Sequence, residues 1–130
     1  MPKLFTLAQA NDLIPALQDL ITRAHDAKVL VDRYHAQIEE LGRQARGNGH
    51  THYEEIQQLG REAEKAADEP NRVIEQIGSI GCEVKDLDRG LVDFPHEREG
   101  TIVYLCWQLG ETTIGYWHGL DTGFAGRQPL

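Results

Sequence analysis

The sequence predicts an α+β fold: an N-terminal long antiparallel helical hairpin, kinked at its prolines, packed with a C-terminal three-stranded antiparallel β-meander. Two observations predict it. Residues 6–80 carry an apolar register whose steps alternate between four and three, the period of helices lying side by side. After Gly81 that register stops, and runs rich in β-branched and aromatic residues alternate with glycine turns. The chain of 130 residues is read as a single domain, 1–130, with the hairpin over 6–80 and the meander and tail over 81–130. That length suffices to bury a core without disulfide or metal staples.

Thr6-Leu7-Ala8-Gln9 has the form of a capping box, with Thr6 at the N-cap and Gln9 three residues on. The first seam then runs through Leu13, Leu17, Leu20, Ala24, Ala27, Val31, Tyr34, Ile38, Leu41 and Ala45. Pro15 removes a backbone donor and predicts a break near Leu13-Ile14. Gly47-Asn48-Gly49 stops the helix near Arg46. A second seam follows through Ile56, Leu59, Ala63, Ala66, Val73, Ile77 and Ile80, with Pro70 at a seam position. Pro70 predicts an interruption there, with Asp68 capping a restarted helix. Gly78 and Gly81 end the helical half. The short glycine-containing connection makes the two helices antiparallel neighbours.

In the second half, Cys82–Asp88 leads to a strand at Gly90-Leu91-Val92-Asp93-Phe94 that Pro95 is expected to close. Strands follow at Thr101–Leu109 and Thr113–His118, joined by Gly110-Glu111-Thr112. In the middle strand Val103, Leu105 and Trp107 share one face, and Ile102, Tyr104 and Cys106 the other. Both faces are apolar or aromatic, so both need cover. The helices serve one face, and the C-terminal tail or a second copy must serve the other. A hairpin register centred on Glu111 would put Tyr116 and His118 on the face of Tyr104 and Cys106.

Hydrophobic residues are 40% of the chain and charged residues 26%, a globular composition. Acids outnumber bases 21 to 13, for a net charge of −8, and no basic stripe exists to hold a phosphate backbone or an anionic membrane. No nucleic acid and no membrane are therefore expected as partners, and the two-sided apolar strand with the long helical seam makes another copy of the chain, a homodimer, the expected one. No window reaches the roughly 18 apolar residues of a span, and the start has no signal-peptide core, so a cytoplasmic setting with two reduced cysteines is expected.

The run from Cys82 through Lys85-Asp86-Leu87-Asp88-Arg89-Gly90 to Asp93-Phe94-Pro95 resembles the signature of a prokaryotic family, domain of unknown function 2203. So do Arg98-Glu99-Gly100, Val103-Tyr104-Leu105-Cys106-Trp107, Gly115-Tyr116-Trp117-His118 with Asp121, and the closing Gly123–Leu130. The opening Phe5-Thr6-Leu7 and Ala10–Pro15 are similar to that family's start, whereas residues 28–77 are generic helix. The resemblance implies the fold and the cytoplasmic setting and leaves the chemistry open.

Candidate ligand-type residues crowd the second half. Asp86, Asp88, Asp93, Glu97, Glu99 and Asp121 are joined by His96, His118, Arg89, Arg98 and Arg127. Carboxylates with imidazole suit a divalent metal ion as cofactor, and His118 and Asp121 with Asp93 or Glu99 are the candidate ligands. Paired Asp–Arg groups and turn-capping aspartates account for the same composition without a metal. Trp107, Trp117, His118, Asp121 and Arg127 form a second candidate group, aromatic anchors beside polar side chains. Core packing is the favoured account of both tryptophans. Arg127 lies too near the terminus for a core residue and is expected to pair with an acid and pin the tail. Cys106 reads as an inert core thiol. His50-Thr51-His52 has ligand-like spacing in a loop. These observations support a non-enzymatic binding or assembly module first, a metal-dependent hydrolase second, and a ligand sensor using both tryptophans third.

Overall fold

The computed structural model describes residues 3–48 and 52–130. Helix α1 covers Leu7–Asp12, α2 Ile14–Asn48 and α3 Tyr53–Ile80. The strands are β1 Glu83–Asp86, β2 Leu91–Arg98, β3 Thr101–Gln108, β4 Tyr116–His118 and β5 Gln128–Pro129. The fold is α+β, as the periodicities require. The described residues form two compact units, one up to Thr22 together with Val73–Leu130, the other over Arg23–Arg72.

In the second unit, parts of α2 and α3 run antiparallel. Arg23 near the start of this α2 segment meets Glu69 near the end of the α3 segment at 2.8 Å, and Arg72 reaches the same carboxylate at 2.8 Å. Among the described residues of this unit Ala24, Ala27 and Ala63 are buried, small enough to let the backbones approach closely. No helix among the described residues is long and apolar enough to cross a membrane.

In the first unit, the capping box forms as its residues require: Gln9 N donates to Thr6 Oγ1 at 3.1 Å, and Thr6 N to Gln9 Oε1 at 2.9 Å. The chain breaks at Leu13, between α1 and α2, where Pro15 has no N–H to continue the ladder. Pro70 acts differently. Helix α3 runs through it unbroken, contrary to the expected restart at Asp68. Proline in a helix interior costs about 3 kcal/mol. Half-buried Ala66 and Pro70 and buried Val73 and Ile77 continue one apolar stripe in phase, and its tertiary packing outweighs that cost. Helix α3 ends in a Schellman pair, Cys82 N to Ile77 O and Gly81 N to Gly78 O, with Gly81 at φ 109°.

The sheet has five antiparallel strands in the order β1-β2-β3-β4-β5, where three were expected. The extra strands are the short edges, too brief to show alternation. Pro95 does not close β2, which continues to Arg98. Its carbonyl accepts from Phe5 N at 2.8 Å, so its imino nitrogen also points away from β3 and costs the ladder no bond. Glu99 and Gly100, with φ of 51° and 80°, form the two-residue turn joining β2 to β3.

The β3–β4 register pairs Tyr104 with His118 and Cys106 with Tyr116, so it is the one centred on Glu111. One face of the sheet carries Val92, Phe94, Val103, Leu105 and Trp107, all buried. It packs with Phe5, Ala10, Ile14, Leu17, Ile21, Val73 and Ile77 to form the core, and Phe94 meets Phe5 edge-on at 5.4 Å. The other face carries Asp93, Tyr104, Cys106 and His118. The chain's own tail folds over it, so the cover expected from the tail or a second copy is supplied within the chain.

Candidate functional site

The second face of the sheet holds the site. The Glu99-Gly100 turn sets the β2–β3 register and puts Asp93 opposite Cys106. The β3–β4 register then brings His118 opposite Tyr104, one pleat along from Cys106. Three strands thus deliver three side chains to one point. Asp93 and His118 are 1% and 2% exposed, and Cys106 is equally enclosed. Among the described residues, the ligand-type atoms that converge are those of Asp93, Cys106 and His118, all within 4.8 Å of one another.

Hydrogen bonding determines the imidazole's orientation. His118 Nδ1 lies 2.7 Å from the Gly119 carbonyl, which can only accept, so Nδ1 carries the proton. Nε2 faces Asp93 Oδ2 at 2.9 Å. One further proton is shared across that contact. Burial pushes the Asp93 carboxyl above its usual range, and the hydrogen bond and charge of His118 oppose this. Burial also pushes the Cys106 thiol up to about 12, with the nearby Asp93 adding to it. In the metal-free chain Cys106 is a protonated thiol against an acid, not a thiolate nucleophile.

Above this group lies a cleft of about 400 Å³. Its walls come from the end of β1, with Lys85 and Asp86, from Arg89 in the turn that follows, and from the tail, with Leu120, Asp121, Gly123 and Phe124. Tyr104 closes one side, 5.4 Å from the His118 ring and beneath Lys85 Nζ at 4.7 Å. Glu83 accepts the Tyr104 hydroxyl, which pushes that phenol up to about 12. Arg89 lies over Phe124 at 4.6 Å. The tail is pinned by Arg127, whose Nη2 reaches both Glu111 oxygens at 2.7 and 2.9 Å and the Cys106 carbonyl at 3.2 Å. Its guanidinium also covers Tyr116 and Phe124.

The predicted residues separate accordingly. Asp93 and His118 are in contact, and Asp121 and Asp86 line the cleft above them. Asp86 also accepts Arg89 N at 3.1 Å, the turn-capping role open to such an aspartate. Asp88 is exposed in the same turn. Glu99 sits in the β2–β3 turn, six residues along β2 from Asp93 or about 20 Å of extended chain, so it takes no part in the group. Trp107 is wholly buried on the opposite face, its Nε1 donating to Glu111 O at 2.8 Å, and Trp117 stacks under Arg98 at 4.8 Å. Neither tryptophan lines the cleft. His52 rests against Glu55 at 3.3 Å, while His50 and Thr51 lie outside the described residues.

The residues that composition alone did not single out are Cys106 as a member of the group, Lys85, Tyr104 and Phe124 as walls, and Glu111 as the partner of Arg127. The signal for Cys106 was present: a two-residue turn at Glu99-Gly100 makes Asp93 its cross-strand neighbour. A larger groove, about 630 Å³, lies between α2 and α3 in the other unit, lined by Leu41 and Leu59 among carboxylate and amide side chains. Its carboxylates are not part of the ligand-type group that converges among the described residues.

The model of the family described as uncharacterized conserved protein (DUF2203) matches residues 3–130. The chain belongs to this family. No curated protein and no solved structure matches it. The match takes in every residue of the cleft and of the group beneath it.

Proposed function

We propose that this chain is a small-ligand-binding module, non-enzymatic, whose site is the cleft on the second face of the sheet. The observation that supports this is a buried Asp93–His118 pair forming the floor of a cleft with aromatic and cationic walls. Sequestering an acid and an imidazole costs several kcal/mol, and a packed apolar pair would serve stability as well or better. Such a pair in a cleft therefore favours a binding role over a structural one. Titrating isotope-labelled protein with a panel of small carboxylates, phosphates, amines and nucleosides tests it by NMR. A true ligand shifts the His118, Tyr104 and Phe124 resonances and leaves those of α2 beyond Arg23 in place. A panel that moves none of the three removes the reading.

A second reading, a metal-dependent hydrolase, is favoured by the convergence of three ligand-type side chains under an open cleft. Homodimerisation is a separate proposal, favoured only by Val29 and Leu30, which stand 52% and 38% exposed on α2. Light scattering at micromolar concentration decides it by mass.

A further inference from the structure

We infer that Asp93, Cys106 and His118 bind one thiophilic divalent cation, zinc by the chemistry of the donors, with its fourth position open to the cleft. The inference rests on the cleft being a binding site, and it names the ligand of the cleft floor. Carboxylate, thiolate and imidazole from three separate strands are a donor set that zinc takes in sites with three protein ligands and one exchangeable position. Their donor atoms already lie within 4.8 Å of one another.

The imidazole supplies an independent observation. Its Nδ1–H is committed to the Gly119 carbonyl at 2.7 Å, so Nε2 is the ring nitrogen presented to Asp93, with the Cys106 sulfur within 4.8 Å. That is the outer hydrogen bond by which metal-bound histidines are held in one tautomer. The distances fit with little movement. Nitrogen and oxygen donors on a tetrahedral zinc stand about 3.3 Å apart, and nitrogen and sulfur about 3.6 Å. Asp93 Oδ2 and His118 Nε2 are 2.9 Å apart, so they need separate by only a few tenths of an ångström. The sulfur closes by about 1.2 Å at most, from the 4.8 Å limit to about 3.6 Å, within reach of one side-chain torsion. Binding releases the Cys106 thiol proton and the proton shared by Asp93 and His118 to solvent, leaving thiolate, carboxylate and neutral imidazole as ligands. Both protons leave as the cation arrives, and no redox change occurs.

The test uses the full chain without a histidine tag, stripped with chelator and then given Zn²⁺ or Co²⁺ alone. The expected result is one metal per chain after desalting, a zinc–sulfur distance of about 2.3 Å by X-ray absorption, and a thiolate-to-cobalt charge-transfer band. Cys106→Ser abolishes the band, and His118→Gln weakens zinc by more than about tenfold, since even loss of an outer hydrogen bond weakens a site by that much. Cys82→Ser and His52→Ala leave metal content and band unchanged. The absorption measurement needs only the wild-type chain and so stands if a variant fails to fold. Less than stoichiometric metal, or bound metal with no sulfur ligand, overturns the inference. If metal is absent while small molecules still shift His118, the cleft reading stands and the metal falls. If neither binds, both fall.

Discussion

Replacing Asp93 tests how the buried pair is held together. In Asp93→Ala the His118 Nε2 loses its partner at a site 2% exposed, and an unsatisfied buried polar atom costs about 1–3 kcal/mol. The void left by the carboxyl adds to this, for a total of about 2–4 kcal/mol. Asp93→Asn keeps the shape and supplies an amide N–H to the Nε2 lone pair. Because burial holds Asp93 toward its neutral form, the amide is a close substitute and the expected cost is about 1 kcal/mol or less. Urea unfolding with chelator present, followed by the fluorescence of Trp107 and Trp117, reads both values in the unit that contains the site. If Asn is as costly as Ala, the pair is a full ion pair and the neutral-acid reasoning is wrong. If Ala costs nothing, the site is wet. The pH dependence gives a second check. A carboxyl with a raised native pKa stays protonated in the folded chain where the unfolded chain has lost its proton. The stability it contributes is complete below the ordinary carboxylate range and is lost as pH rises through the raised value. The gap between wild type and Asp93→Asn should therefore be widest at low pH and narrow toward neutrality.

Arg127→Lys should release the tail, because an ammonium cannot span Glu111, the Cys106 carbonyl and two aromatic faces together; we expect a loss of about 1–3 kcal/mol and new protease cleavage within residues 119–127. Gly90→Ala combines a φ of 68° with a Cβ only 2.5 Å from that of Leu109, so strain of about 1–2 kcal/mol and overpacking of about 1–3 kcal/mol should lower the urea midpoint sharply. Gly100→Asn, also at positive φ but with open space around it, should be nearly silent by the same measurement. Burial pushes both the Cys82 and Cys106 thiols up to about 12, so an aromatic disulfide reagent at pH 8 should label neither in the folded, metal-free chain and both once urea is added.

The parts of this molecule governed by neighbours in sequence were legible beforehand. The Thr6 cap, the break before Pro15, the Gly81 stop and the seam periods depend on contacts within about one helical turn, and each stands where the residues put it. The β3–β4 register was one of the alternatives the sequence left open, since a one-residue slip reverses every facing, and the fold selects the one centred on Glu111. Two prolines depart from their local rule for different reasons. Pro70 was tolerated because a packed stripe outweighed a local penalty, and Pro95 because its imino nitrogen faces away from β3. Both facts belong to tertiary structure.

What the sequence by itself determined is the kind of molecule: two long helices, an antiparallel sheet with two greasy faces, and a family membership that spans residues 3–130. Only the tertiary structure decided which ligand-type residues meet. Asp93, Cys106 and His118 are separated by 13 and 12 residues, and composition ranked Glu99 and Asp121 with them while treating Cys106 as filling. The physical reason is that a sheet joins residues across strands rather than along them. A site on its face is set by two registers and by the tail folded over it, and no local pattern records how these combine.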